Sequence, residues 1–261
     1  MPQPALLSVV GLLGLAVGSF LNVVIHRVPQ NESLLRPGFH CPHCGARVRH
    51  RHNIPVLGWL LLRGRCADCR APISARYPLV EAGTAALFVA VAAKFGWSCA
   101  LPAYLYLAAI AITLALIDVA VHRLPDAIVR PSYLVAVALL VPAALVTGDR
   151  AAIYRGFAAA AALWLLYLLI SRLGPMGWGD IKLAPLLGFY LGWLGWTAVA
   201  VGVFAGFLLG GVVGAALMAI RLATMKSRVP FGPFMLAGAF VAVFAGGPIA
   251  AWYASLTFPT A

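Results

Sequence analysis

An all-α polytopic membrane protein, about eight transmembrane helices with a small zinc-ribbon-like insertion, is the fold class that the sequence predicts. Three observations predict it. Of the 261 residues 63% are hydrophobic and only 10% charged, with a mean hydropathy of +0.95, which excludes an ordinary soluble domain. The apolar residues fall into runs approaching the roughly 20 residues needed to cross hydrocarbon, separated by short polar turns. One longer polar interruption, from Pro29 to Tyr77, holds four of the five cysteines. Acidic residues number only seven, so each carboxylate calls for a physical account.

The first run, Ala5 to Ile25, lacks a basic leading segment and a small-x-small cleavage site and ends in His26-Arg27. It therefore reads as a permanent span and not a signal peptide. Residues 1–28 are assigned to the first transmembrane helix, 29–77 to a four-cysteine domain and 78–261 to a seven-helix membrane domain. Near the end of the first span Ser19 and Asn22 share a helix face, and polar side chains inside spans usually bond a neighbouring helix.

The polar domain carries Cys41-Pro42-His43-Cys44 and Cys66-Ala67-Asp68-Cys69. Each Cys-x-x-Cys offers two thiolates to one metal, and Cys41, Cys44, Cys66 and Cys69 together complete a tetrahedral sulfur site of the structural zinc type. The competing reading is a pair of disulfides, which needs an oxidising compartment. His43 is the one histidine placed to substitute as a ligand. Asn53 to Arg65 between the knuckles, with Ile73 to Glu81 after them, brings an apolar cluster into the loop and suggests a platform lying on the membrane face or packed on the helices.

Later helices are expected at Leu79 to Phe95, Leu101 to Ile117, Ile128 to Val146, Ala151 to Ser171, Leu183 to Trp196, Ala198 to Ile220 and Gly232 to Trp252. Leu183 to Trp196 is short for a bilayer. Cys99 reads as a buried small residue. Gly202, Gly206, Gly210 and Gly214 recur every fourth residue and read as a packing stripe. Two prolines and a glycine in Val229-Pro230-Phe231-Gly232-Pro233-Phe234 break the helix, which suits a bend near the aspartates discussed next.

With the N-terminus outside, all of the 19 Lys and Arg except Lys94, Arg150 and Arg155 fall on one side. The positive-inside rule makes that side cytoplasmic, where thiols stay reduced and zinc is favoured over disulfides. The same arrangement puts Asp118, Asp126 and Asp180 on that side. Topology and attraction to anionic lipid account for the net charge of +12, so no nucleic-acid partner is required.

Asp118 closes the apolar run Tyr104 to Ile117, and Asp180 closes Gly177-Trp178-Gly179-Asp180, with Lys182 just beyond. Glycines flanking an aromatic allow a tight bend and close helix approach. Two aspartates on different helices can share a proton and activate a water for attack on a peptide bond, the chemistry of an aspartyl protease. Plainer readings stand beside this one: a polar loop at Asp180, capping of the Ile128 helix by Asp126, and a macrodipole role for Glu81.

Asp118 with Leu124-Pro125-Asp126 downstream, Gly177-x-Gly179-Asp180-x-Lys182, the stretch Gly18-Ser19-Phe20-Leu21-Asn22 through Pro29, and Val229 to Phe234 together resemble the type IV prepilin peptidases, membrane aspartic proteases of the Gly-x-Gly-Asp class. The resemblance implies a catalytic pair of Asp118 and Asp180, supported by Gly177, Gly179, Lys182 and Asp126. It implies prepilin and pseudopilin substrates whose short basic leader is cut at the cytoplasmic face of the bacterial inner membrane. It also implies methylation of the new N-terminus by S-adenosylmethionine, with Glu81 the candidate cofactor-binding residue. No Gly-x-Gly-x-x-Gly nucleotide fold is visible, so methyl transfer rests on the resemblance alone. A surface this basic repels a basic leader, which makes acidic groups the local recognition elements and Asp126 a candidate. Two rivals from other classes remain, a proton-coupled transporter using Asp118 and Asp180 as a relay and a zinc-dependent membrane scaffold.

Overall fold

The computed structural model describes residues 3–34, 38, 40–41, 43–174, 176–222, 224 and 229–257. Arg36, Lys226 and Arg228, counted above on the basic side, lie outside the described residues. The helices among the described residues are α1 (Gln3–Arg27), α2 (Leu57–Leu61), α3 (Arg76–Phe95), α4 (Leu101–Val121), α5 (Asp126–Thr147), α6 (Arg150–Leu173), α7 (Trp178–Leu194), α8 (Trp196–Ala219) and α9 (Gly232–Thr257). Extended pairing among the described residues is limited to two isolated bridges in the cysteine loop.

Each expected apolar run forms one helix, and α2 adds a short one inside the polar loop. Seven helices are long and apolar enough to cross a membrane, so the chain is a multi-pass membrane protein. The remaining one of the expected eight, α7, has 17 residues and is buried along most of its length. It begins at Trp178, earlier than the Leu183 that hydropathy indicates. Gly177 takes the extended N-cap conformation (φ −73°, ψ 145°), and the Gly177 N–H faces the Asp180 carboxylate in the first turn. An acidic group in the first turn favours a helix start even where polar residues lower the hydropathy.

The chain forms two compact units, Met1–Thr113 and Leu114–Ala261, dividing within α4. In the first, α1 lies against α3 because Gly14 and Gly18 carry no side chains. A Cβ at Gly14 would stand 2.6 Å from the Cα of Ala85, and one at Gly18 would stand 2.7 Å from the Cα of Glu81. Small residues four apart permit this approach where lipid supplies no hydrophobic drive between helices. Asn22 Nδ2 donates to the Tyr77 carbonyl at 3.1 Å, so this polar side chain ties α1 to the start of α3. Phe95 stacks on Tyr104, ring centroids 4.2 Å apart.

In the second unit α7 packs against α5, α6, α8 and α9. Gly188 lets α6 come close, since a Cβ there would lie 2.6 Å from the Ala159 carbonyl oxygen. Helices α8 and α9 cross at Gly238, where a Cβ would lie 2.4 Å from the Gly206 nitrogen. The expected glycine stripe packs through Gly202, Gly206 and Gly210 but not through Gly214, which has nothing within 4 Å.

Candidate active site and metal centre

The cysteine loop builds the same turn twice. The Cys41 N–H donates to the Ala46 carbonyl at 2.9 Å and the Gly45 N–H to the Cys41 carbonyl at 2.9 Å; the Cys66 N–H donates to Ala71 at 2.8 Å and the Arg70 N–H to Cys66 at 3.1 Å. Each turn needs a left-handed residue at the same place, Gly45 (φ 70°) in one and Arg70 (φ 61°) in the other. The result brings the four Sγ atoms of Cys41, Cys44, Cys66 and Cys69 within 4.8 Å of one another, and all five cysteines are free thiols.

Electrostatics within the cluster are uneven. Backbone N–H groups of Cys44 and His43 aimed at Cys41 pull its thiol down to about 6, against the upward push of burial. The Ala71 N–H lowers that of Cys69, but burial and the three neighbouring sulfurs prevail and push it up to about 12. A divalent cation relieves such crowding, and four convergent soft sulfurs at Cys-x-x-Cys spacing fit zinc with no open position. Among the described residues His43 is not part of the cluster, so its expected role as a substitute ligand does not apply. Cys99, expected to be buried, is exposed; it follows the end of α3 in a connecting segment, where nothing covers it.

Asp118 and Asp180 are 5% and 7% exposed, and Asp118 is close enough for its charge to act on Asp180. Asp118 comes from the last turn of α4, Asp180 from the first turn of α7. Each is met by the start of a helix that opens on a glycine: the Gly232 N–H at the head of α9 faces Asp118, as the Gly177 N–H faces Asp180. Unsatisfied N–H groups and the positive end of the helix dipole both favour a carboxylate there. Gly232 is the residue that sequence reasoning missed. The Val229 to Phe234 stretch was singled out as a bend, but only the structure shows that a Cβ at Gly232 would sit 2.7 Å from Asp118 Oδ2. Gly179 has a similar task, since a Cβ there would lie 3.1 Å from Leu124 Cβ.

Asp126 proves to be otherwise engaged. Lys182 Nζ donates to its Oδ1 at 2.7 Å, and Arg130 pairs with its Oδ2 at 3.1 Å. Helix α5 starts at Asp126 itself with Pro125 as N-cap and no side-chain cap, so the capping role expected of Asp126 is not found. Its charge is likewise balanced by two cations and not left open for a basic leader. Lys182 is held from both ends, because the Tyr133 hydroxyl also donates to its carbonyl. This network joins the start of α5 to the first turns of α7, beside Asp180.

Glu81 is 8% exposed and stands beyond the first turn of α3, which contains no acidic residue. The macrodipole explanation therefore fails, since that effect fades within one turn. Its Oε2 instead accepts the Val56 N–H at 2.6 Å.

Taken together these features define a multi-pass helical membrane protein with a buried aspartate pair and a four-cysteine cluster that could hold a metal ion. Residues 12–95 match the model of the bacterial peptidase A24 N-terminal domain, and residues 105–215 match that of the type IV leader peptidase family. A prepilin leader peptidase/N-methyltransferase of Aeromonas hydrophila is 36% identical, covering 94% of this chain and 93% of the relative. Proteins of the same description from Stutzerimonas stutzeri and Pseudomonas aeruginosa are 35% and 33% identical, each covering 93% of this chain and 91% of the relative. The chain belongs to the type IV leader peptidase family and is an enzyme, a membrane peptidase, as the resemblance implied. No solved structure matches it.

Proposed function

We propose that this enzyme removes the short leader from prepilin-like and pseudopilin proteins, with Asp118 and Asp180 as the catalytic pair. The observation that carries the reading is two buried carboxylates on separate helices, each facing the N–H of a glycine at a helix start. One proton is shared between them, because like charges close together in a poorly solvated place do not both ionise cheaply. The ionised member takes a proton from water while the protonated one hydrogen-bonds the scissile carbonyl. Water oxygen bonds to the carbonyl carbon, and collapse of the tetrahedral species breaks the C–N bond as the leaving nitrogen receives a proton. Asp126, Lys182 and Tyr133 hold the first turns of α7 in place, Gly177 starts that helix, and Gly179 lets it approach Leu124.

The basic loops support a location of this chemistry at the cytoplasmic face of the bacterial inner membrane, where anionic lipid attracts the same cations. Zinc held by the four cysteines is structural. The name shared by the relatives also includes N-methyltransferase, and the first unit holds a cavity of about 800 Å³ lined by Asn22, Trp59 and Glu81 among others. That volume accommodates a nucleoside-sized ligand, and the aromatic ring of Trp59 in the same cavity offers a stacking face for the adenine of S-adenosylmethionine. When bound, S-adenosylmethionine supplies a methyl group activated by its sulfonium.

Asp118→Asn and Asp180→Asn test the cleavage reading. Each keeps the shape but cannot exchange the proton, so each lowers prepilin cleavage by at least about 10² while expression, membrane insertion and zinc content stay normal. Cleavage within threefold of wild type in either variant overturns the proposed pair.

A further inference from the structure

Three acidic residues line the cavity of the first unit: Glu32, Asp68 and Glu81. Glu32 is exposed, and Asp68 is paired with Arg49 at 3.1 Å. Glu81 alone is buried, and no Lys or Arg pairs with it among the described residues. A buried carboxylate without a cation is costly, so its place needs an explanation. Two features of the fold hold it there. Gly18 brings α1 against its backbone, and Val56, whose N–H donates to Oε2, has φ 61° and ψ −53°. Positive φ is a strained conformation for a β-branched residue. The strain aims one backbone donor at one oxygen. The other oxygen, Oε1, accepts no hydrogen bond among the described residues, although Glu81 lines the cavity. Two of the cavity's arginines are already occupied, Arg49 on Asp68 and Arg27 on the Ser33 carbonyl at 2.9 Å.

We propose that this cavity binds a peptide N-terminus, and that Glu81 is the residue that holds its α-ammonium group. An ammonium donates N–H bonds and brings the positive charge that a buried carboxylate lacks. The proposal rests on the methyl-transfer reading above and extends it to the acceptor. In that reaction the nitrogen must lose a proton to free its lone pair. The lone pair bonds to the methyl carbon, the C–S pair stays on sulfur, and the displaced proton passes through the Glu81 carboxylate to water. Glu81 thus both holds the amine and receives the proton.

The test uses the full-length protein in detergent and needs no methyl donor. A peptide matching the first residues of a mature pilin is titrated with a free or an acetylated N-terminus, following Trp59 fluorescence, with a Trp59→Phe control to identify the signal. A charge-assisted bond to Glu81 makes the free amine bind about 10-fold to 100-fold tighter than the acetylated peptide. Glu81→Gln abolishes that preference while leaving prepilin cleavage within twofold and zinc content unchanged. Equal binding of the two peptides by wild type, or a preference that survives in Glu81→Gln, overturns the proposal. So does loss of cleavage or zinc in both Glu81→Gln and Glu81→Asp, which marks a structural role. In a parallel assay with S-adenosylmethionine, wild type methylates the cleaved peptide and Glu81→Gln slows this by about 10² or more. Absence of methylation by wild type, with the amine preference intact, sinks the methyl-transfer reading alone.

Discussion

Replacing Gly232 by alanine tests whether the head of α9 sets the geometry of the aspartate pair. The added Cβ would be 2.7 Å from Asp118 Oδ2 and 3.4 Å from Leu124 Cδ1. The first distance is well inside van der Waals contact, so the carboxylate or the start of α9 must move by the better part of an ångström. Movement of either shifts the Asp118 carboxylate relative to the Gly232 N–H and to Asp180. A misplacement of about 1 Å at a reacting group costs on the order of 10² in rate. Gly232→Ala is therefore expected to reduce prepilin cleavage by about 10². Membrane insertion should be unaffected, because alanine suits a helix start. Gly214→Ala is the matched control: with open space around it the change removes a helix-interior glycine, adds about 0.5–1 kcal/mol of stability and leaves cleavage unaltered. Initial rates on a purified prepilin, with thermal unfolding in detergent, separate the two. A Gly232→Ala enzyme cutting within threefold of wild type refutes the reasoning.

Asp126→Asn should retain cleavage within about fivefold, because the Lys182 pair is more than a third exposed and such pairs contribute only about 0–1 kcal/mol; loss on the scale of Asp118→Asn would put Asp126 in the chemistry. Purified under reducing conditions, the protein should contain one zinc per chain, and chelation or Cys66→Ser should make the loop between Cys41 and Cys69 sensitive to protease while leaving the aspartate chemistry measurable. Metal analysis finding no zinc contradicts the assignment of that site.

Local pattern carried much of the fold. Eight apolar runs were readable because hydrocarbon demands length and low charge, and the knuckles because two thiolates need a fixed spacing. The two buried aspartates stood out because so few carboxylates exist and these close apolar runs. What the sequence hid depends on residues far apart in the chain. Nothing near Val229 says that the Gly232 N–H meets Asp118, and nothing near Leu124 says that Asp126 is balanced by Lys182. The start of α7 was misjudged because hydropathy penalises Asp180 and Lys182, although the Asp180 carboxylate helps to initiate that helix. Gly14 and Gly18 were legible in principle, as small residues four apart in the first span.

That Gly14 and Gly18 contact changes what the metal loop has to accomplish. A free zinc finger must bring its own ends together from an open coil, and metal binding bears that closure entropy along with the folding of the interior. Here the loop leaves α1 at Arg27 and enters α3 at Arg76, two helices seated against each other by absent side chains. The ends are already joined before any ion arrives. A metal ion held by the four cysteines would organise only the inside of a tethered ring, so an apo chain should melt its knuckles while α1 and α3 stay in register.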